Sequence, residues 1–203
     1  MAVGPSRSPD IASQPYRKWY GCDVTTNRSR LRDMAVGQHG YVSTGDAAAI
    51  GVPAVELRKL AARGGLERIG HGLYRVSDVP FDDVDQYARA VRLVGPGAHL
   101  TQDAVLALHG LGLVNPRRIR VGTPRRFRGA LPAFVEVVHE QVPCSAITEY
   151  SGIRSTTVAR ALIDCVGKVM PERLRDAVTQ AKREGLLTRT ETHQVRQAIR
   201  NVP

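Results

Sequence analysis

The chain has 203 residues, 42% of them hydrophobic, and a formal net charge of +10: room for one large or two small domains with a real core, and a charge suited to an anionic partner. Cys22, Cys144 and Cys165 lie far apart, with no Cys or His pair at metal-ligand spacing; this argues against a metal site or disulfide framework and for a reduced, cytoplasmic protein without cofactor. No apolar run approaches the roughly 20 residues of a membrane span, and no signal peptide precedes the predicted elements.

All but four of the 29 basic residues are arginine, the side chain best suited to bidentate phosphate and guanine contacts. A GC-rich genome inflates arginine too, so the ratio says less than the placement of the charge. Residues 1–27 carry Pro5, Pro9, Pro15 and several serines with no helical period, which reads as a mobile arm. Its basic-aromatic patch, Arg17-Lys18-Trp19-Tyr20, has no further support.

Residues 28–38 predict a first helix, with Leu31, Met34 and Ala35 on one face. A short strand or turn at Gly40-Tyr41-Val42 follows. Ser43 to Arg63 then reads STGDAAAIGVPAVELRKLAAR. Ser43 or Thr44 caps a short helix, Ala47 is small enough for a second helix to approach, and Gly51 occupies the turn between them. Ile50, Val52, Leu57 and Leu60 fall at the inward positions of a helix-turn-helix. Pro53 opens the second helix, where its missing N–H costs nothing, and Gly64-Gly65 closes it. Leu66–Ile69 and Leu73–Val76 flank Gly70-His71-Gly72 and predict a hairpin. Helix, turn, helix and basic hairpin make a winged helix-turn-helix over residues 28–80, whose second helix enters the major groove. The candidate DNA-binding residues are Ala54, Val55, Arg58, Lys59 and Arg63 on that helix, the small ones suited to close approach and thymine-methyl contact, and Arg68, His71 and Arg75 on the wing.

Ser77–Pro80 reads as a linker to a mixed α/β domain over 81–203. A helix is expected from Asp83 to Val94, stopped by Gly95-Pro96-Gly97, and another capped by Thr101 from Gln102 to His109. Strands are expected at residues 118–122 and 134–139, and a hairpin at 147–154 across Ser151-Gly152. Three helices end the chain. The first, opened by Ser155 or Thr156, places Val158, Ala159, Leu162, Ile163 and Val166 on one face. The second opens at Pro171 with Leu174, Ala177, Val178 and Ala181 inward and closes at Gly185. The last opens at Thr188 or Thr190 and ends near Asn201. The fold class is therefore α+β.

Between Asn115 and Ala130 stand Arg117, Arg118, Arg120, Arg125, Arg126 and Arg128 with no acidic residue among them. This spike in a nearly neutral middle is a second basic surface, for DNA or an acidic protein partner, or else a solvated loop. No GxGxxG, Walker loop, HExxH or GxSxG is present, so no catalytic residue is assigned and the chain reads as a non-enzyme.

The order of parts resembles the AbiEi family of antitoxins, of type IV toxin–antitoxin systems and mycobacterial kind. The wing RIGHGLYR (Arg68–Arg75), the stretch GPGAHLTQDAVLALHGL (Gly95–Leu111), the stretch GIRSTTVARALIDCV (Gly152–Val166) and DAVTQAKREGLLT (Asp176–Thr188) carry the resemblance. Thr157, Arg160, Leu162 and Asp164 form its most specific C-terminal pattern. His71 departs, standing where relatives more often carry an arginine. The resemblance implies a nucleotidyltransferase-like toxin as partner, usually encoded beside the antitoxin. It also implies repression of the chain's own operon through inverted repeats in double-stranded DNA, with basic C-terminal residues assisting, by a monomer or weak dimer that binds cooperatively. The alternative is a stand-alone winged-helix regulator whose C-terminal domain dimerises or senses a ligand.

Overall fold

Two sets of apolar side chains are buried, one between Leu31 and Val79 and one dominated by residues from Tyr87 to Ile199, and they meet at the strands of the hairpin. The computed structural model describes residues 26–201. The expected arm, with its Arg17–Tyr20 patch and Cys22, lies outside the described residues except at its last positions.

The first unit runs α1 (Asn27–Val36), β1 (Tyr41–Ser43), α2 (Thr44–Ala49), α3 (Ala54–Ala62), β2 (Leu66–Gly70) and β3 (Leu73–Val76). Thr26 caps α1 by accepting from the Ser29 N–H. Ser43 caps α2 in a capping box: its hydroxyl accepts from the Asp46 N–H while the Asp46 carboxylate accepts from the Ser43 N–H. Gly51 takes φ +72° in the turn, a conformation that costs any residue with a Cβ, and the Arg30 guanidinium donates to the Ile50 carbonyl beside it. Pro53 is the N-cap of α3 rather than its first helical residue. Val52 and Leu57 are buried, with Ile50 and Leu60 partly so. The strands form an antiparallel sheet in the order β1-β3-β2, with Tyr74 opposite both Val42 and Arg68.

The remainder runs α4 (Asp85–Val94), β4 (His99–Leu100), α5 (Asp103–Leu108), β5 (Ile119–Thr123), β6 (Val135–His139), β7 (Ile147–Tyr150), β8 (Ile153–Thr156), α6 (Val158–Asp164), α7 (Pro171–Arg183) and α8 (Arg189–Arg200). Its five strands form a mixed sheet in the order β6-β5-β4-β8-β7, parallel at β5/β6 and β4/β8 and antiparallel elsewhere. The described residues thus form a mixed α+β fold of eight α-helices and two sheets.

Several expectations shift. Thr101 does not cap α5: Gln102 holds the N-cap position without a side-chain bond, and the helix starts at Asp103. The central strand β4 is only two residues long, too short to show an alternation and hidden behind the Gly95–Gly97 stop. Ser155 and Thr156 belong to β8, so Thr157 caps α6. Ile163 is 39% exposed rather than inward. The helix expected from Asp83 begins at Asp85. By contrast Leu174, Ala177, Val178 and Ala181 are all buried on α7, and Thr188 caps α8 in a second capping box with Glu191.

The Thr157–Asp164 pattern has a structural explanation. The Thr157 hydroxyl accepts from the Arg160 N–H at 3.3 Å, the Arg160 side chain reaches Asp164 at 2.7 Å one turn on, and Leu162 is fully buried. These residues start, brace and anchor α6.

Gly51→Val is expected to destabilise the protein by about 1–3 kcal/mol, the cost of forcing a β-branched residue into the left-handed region. Thermal unfolding checks it. A melting curve equal to that of the unmodified chain would contradict the turn geometry.

Candidate nucleic-acid interface

The outer face of α3 is built by what lies beneath it. Val52, Leu57 and Leu60 turn towards the core, which leaves Ala54, Val55, Arg58, Lys59 and Arg63 exposed. Val55 is 44% exposed, an apolar side chain that local packing leaves free. Lys59 pairs with Glu56 one turn earlier at 2.8 Å, an exposed ion pair worth little and easily exchanged for a phosphate. Arg58 and Arg63 have no ion-pair partner among the described residues. Both lie on the face that carries Val55, so a small apolar contact is flanked by two free guanidinium groups.

On the hairpin, Arg68 and His71 are exposed. Arg68 reaches only the Gly70 carbonyl, at 3.4 Å. Arg75 corrects the sequence reading: it is 4% exposed and does not face solvent. Its guanidinium donates to the Val79 carbonyl at 2.8 Å, lies 3.5 Å from the centroid of the Phe81 ring and sits 3.8 Å from the Asp85 carboxylate. Asp85 also accepts from the Tyr41 hydroxyl at 2.9 Å. Burial, and then the Asp85 bond and charge, push the Tyr41 hydroxyl well above its usual pKa.

This buried trio joins the two units. Tyr41 and Arg75 come from β1 and β3, and Asp85 opens α4. Four further contacts surround it. Arg92 on α4 pairs with Asp46 of the α2 capping box at 3.0 Å. His39 reaches Asp82 at 2.7 Å and the Ser151 carbonyl of the β7–β8 turn at 2.6 Å. Leu93 packs so closely over Gly70 that a Cβ there would collide with it. The hairpin is therefore buttressed by α4, and α3 projects from the opposite side of its own small core. A cleft of about 290 Å³ remains beside the junction, lined in part by Ser43, Asp46, Arg92 and Arg154. Sequence reasoning missed the junction. The one available signal was the run Phe81-Asp82-Asp83-Val84-Asp85 directly after the hairpin, acidic residues close in sequence to a basic strand.

The second basic surface is divided by the fold. Arg117, Arg118, Arg125, Arg126 and Arg128 are exposed. Arg120 is not available: it is ion-paired with Asp103 and lies 3.6 Å from Glu136. These contacts push its already high pKa further up, led by the hydrogen bond to Asp103.

A second polar centre lies in the large sheet. His99, buried on β4, contacts Glu140 at 3.1 Å, and Gly122 between them has no room for a Cβ. Burial alone would raise the Glu140 carboxyl, but hydrogen bonding to His99 and the nearby charges of His99 and Arg160 outweigh it and hold it below the usual range. No described helix is long and apolar enough to cross a membrane, and no described group of His, Cys, Asp or Glu has metal-binding geometry.

Residues 29–77 match the family model described as a transcriptional regulator, AbiEi antitoxin. The matched stretch runs from α1 to just past β3 and so coincides with the first unit. No curated protein matches the chain. Among solved structures, the RV2827C protein from Mycobacterium tuberculosis aligns with a TM-score of 0.46 at 14% identity, covering 87% of this chain and 72% of that one.

Replacing Asp85 by Ala leaves a buried guanidinium without its carboxylate and is expected to cost about 3–5 kcal/mol. The exposed change Arg58→Ala is expected to stay within about 0.5 kcal/mol. Urea unfolding of both variants checks the contrast; equal losses would mean the junction does not hold the units together.

Proposed function

We propose that this AbiEi-type chain is an antitoxin that represses its own operon, reading operator DNA through the first unit and counteracting a nucleotidyltransferase-like toxin through the remainder. The observation that carries the reading is the family match over residues 29–77, on a unit whose α3 presents an exposed basic face. In this reading residues 28–80 act as a winged helix-turn-helix. The α3 helix enters the major groove with Ala54 and Val55 against base methyls and Arg58, Lys59 and Arg63 on base edges or phosphates. Arg68 and His71 carry the wing to the flanking backbone. Inverted repeats in the operator would seat two copies, each using the same face.

Arg75 is left out of the DNA contacts. As a buried cation bound to Asp85 it fixes the wing rather than touching the duplex. The antitoxin function is assigned to residues 81–203, which carry the larger core, and the chain is assigned no catalytic role.

With Arg75 excluded, Arg58, Lys59, Arg63 and Arg68 remain as the firm cations of the interface, so about four phosphates are neutralised per bound copy and log K falls with log salt at a slope near −4. Arg58→Ala and Lys59→Ala are each expected to cost about 1–3 kcal/mol of operator affinity, with the melting temperature unchanged. Titration of the duplex upstream of the chain's own gene, across a salt series, measures both. Undiminished affinity in the double variant would remove α3 from its role. Co-expression with the product of the adjacent gene, scored by growth, tests the antitoxin half.

A further inference from the structure

Among the described residues β6 is an edge strand: it pairs with β5 and with no strand on its other side. The ladder fixes which of its backbone groups are free. The Ile119 N–H donates to the Phe134 carbonyl at 2.7 Å, and the Glu140 N–H donates to the Thr123 carbonyl at 3.1 Å. In a parallel pair alternate residues face the partner strand, so Glu136, Val138 and Glu140 point towards β5. Val135, Val137 and His139 point away. The Val135 N–H turns back to the Pro132 carbonyl at 3.0 Å. The N–H groups of Val137 and His139 have no backbone partner among the described residues.

The charge at the two ends of β5, the strand next to this edge, is one-sided. Arg117 and Arg118 precede β5 at the end where Ile119 faces Val135, and Arg125 and Arg126 follow it at the end where Thr123 faces His139. Arg128 lies on the loop that returns from the second end to the first. These five are exposed, with no ion-pair partner among the described residues. The carboxylates on this strand are already engaged, Glu136 near Arg120 and Glu140 with His99. Val137 and Val138 are half-buried, one on each face of the sheet.

We propose that the β6 edge is a docking site for an extended acidic segment of a partner protein, which adds as a sixth strand while its carboxylates meet Arg117, Arg118, Arg125, Arg126 and Arg128. Strand addition uses main-chain bonds for affinity and alternate side chains for specificity, and an open edge with neighbouring apolar side chains is the template it needs. A nucleic acid would satisfy the arginines, and a phosphate can accept from a single outward N–H, but it offers neither a row of carbonyls and N–H groups in strand register nor side chains for the valines. The identification of this partner with the toxin rests on the function proposed above; the docking geometry does not.

The test uses the full chain, labelled with nitrogen-15. Its probes are a synthetic peptide of alternating Glu and Val and a single-stranded oligonucleotide of equal charge. The peptide is expected to slow amide exchange at Val137 and His139 at least tenfold, and the oligonucleotide to leave both unprotected. Val137→Pro removes no hydrogen bond of the β5–β6 ladder, only an outward N–H, a place where proline is tolerated on an edge strand, and is expected to weaken peptide binding at least tenfold while the chain still unfolds cooperatively. Val137→Thr keeps the N–H and is expected to keep the affinity, and the triple variant Arg125→Glu, Arg126→Glu, Arg128→Glu to lose it. Full peptide affinity in Val137→Pro, absence of peptide binding, or peptide binding that leaves both amides unprotected would overturn the proposal. So would tight oligonucleotide binding that displaces the peptide, which would mark the surface as one for nucleic acid. Failure of the DNA-reading assignment would appear instead in operator titration, which does not enter this measurement.

Discussion

A guanidinium placed inside a protein needs its charge compensated, and the arrangement of this molecule depends on that requirement at Arg75, which has the Val79 carbonyl, the Phe81 ring and the Asp85 carboxylate around it. The residue sits in the middle of β3, on the face of the small sheet opposite Tyr74. If that face met water, Arg75 would be a surface charge like Arg68. Instead α4 covers it and brings Asp85 to it, with Tyr41 completing the trio. Removing Asp85 leaves the Arg75 guanidinium buried without a carboxylate and the Tyr41 hydroxyl without its acceptor, which is far costlier than losing an exposed ion pair. The β2–β3 hairpin is thereby attached to α4 by a buried polar contact, with the contacts of Arg92 with Asp46 and of Leu93 over Gly70 beside it. The outer face of α3 and the β6 edge are then parts of one framework.

Much of the first unit was legible because its signals are local. The capping residue Ser43, the turn glycine Gly51 and the inward Val52 and Leu57 all lie within one 20-residue stretch, and each acts on its neighbours. The same holds for α7, whose inward face is a plain 3.6-residue period, and for α8, whose start is a capping box. What was not legible depended on residues distant in the chain. Arg75 in Leu73-Tyr74-Arg75-Val76 reads as the outward member of an alternation, which assumes solvent on one side; all four residues are buried because a second unit covers the other side. Arg120 reads as one of six clustered arginines until Asp103 and Glu136 are seen beside it. The strand β4 carries only two residues, and its identity comes from β5 and β8 on either side.

The division between the two units also bears on the family match. The matched stretch ends at residue 77, just before the residues that turn towards α4. Within it lie the elements that set α3, and beyond it lie the elements that hold the β2–β3 hairpin in place and carry the exposed arginines flanking β5. The exposed basic face of α3 and the exposed arginines flanking β5 thus lie on separate elements. The exposed residues of α3 and of the 124–134 loop contribute little to either core, whereas the junction between them contributes to both.

In the proposed function α3 and the tip of the β2–β3 hairpin, not the arginines flanking β5, are the surface that meets DNA. Chemical-shift mapping of the labelled full chain on its upstream operator duplex tests this most directly. The account predicts perturbations at Ala54 to Arg63 and at Arg68 and His71, with Arg117, Arg118, Arg125, Arg126 and Arg128 unmoved. Perturbations centred on those five arginines, with α3 unchanged, would contradict it.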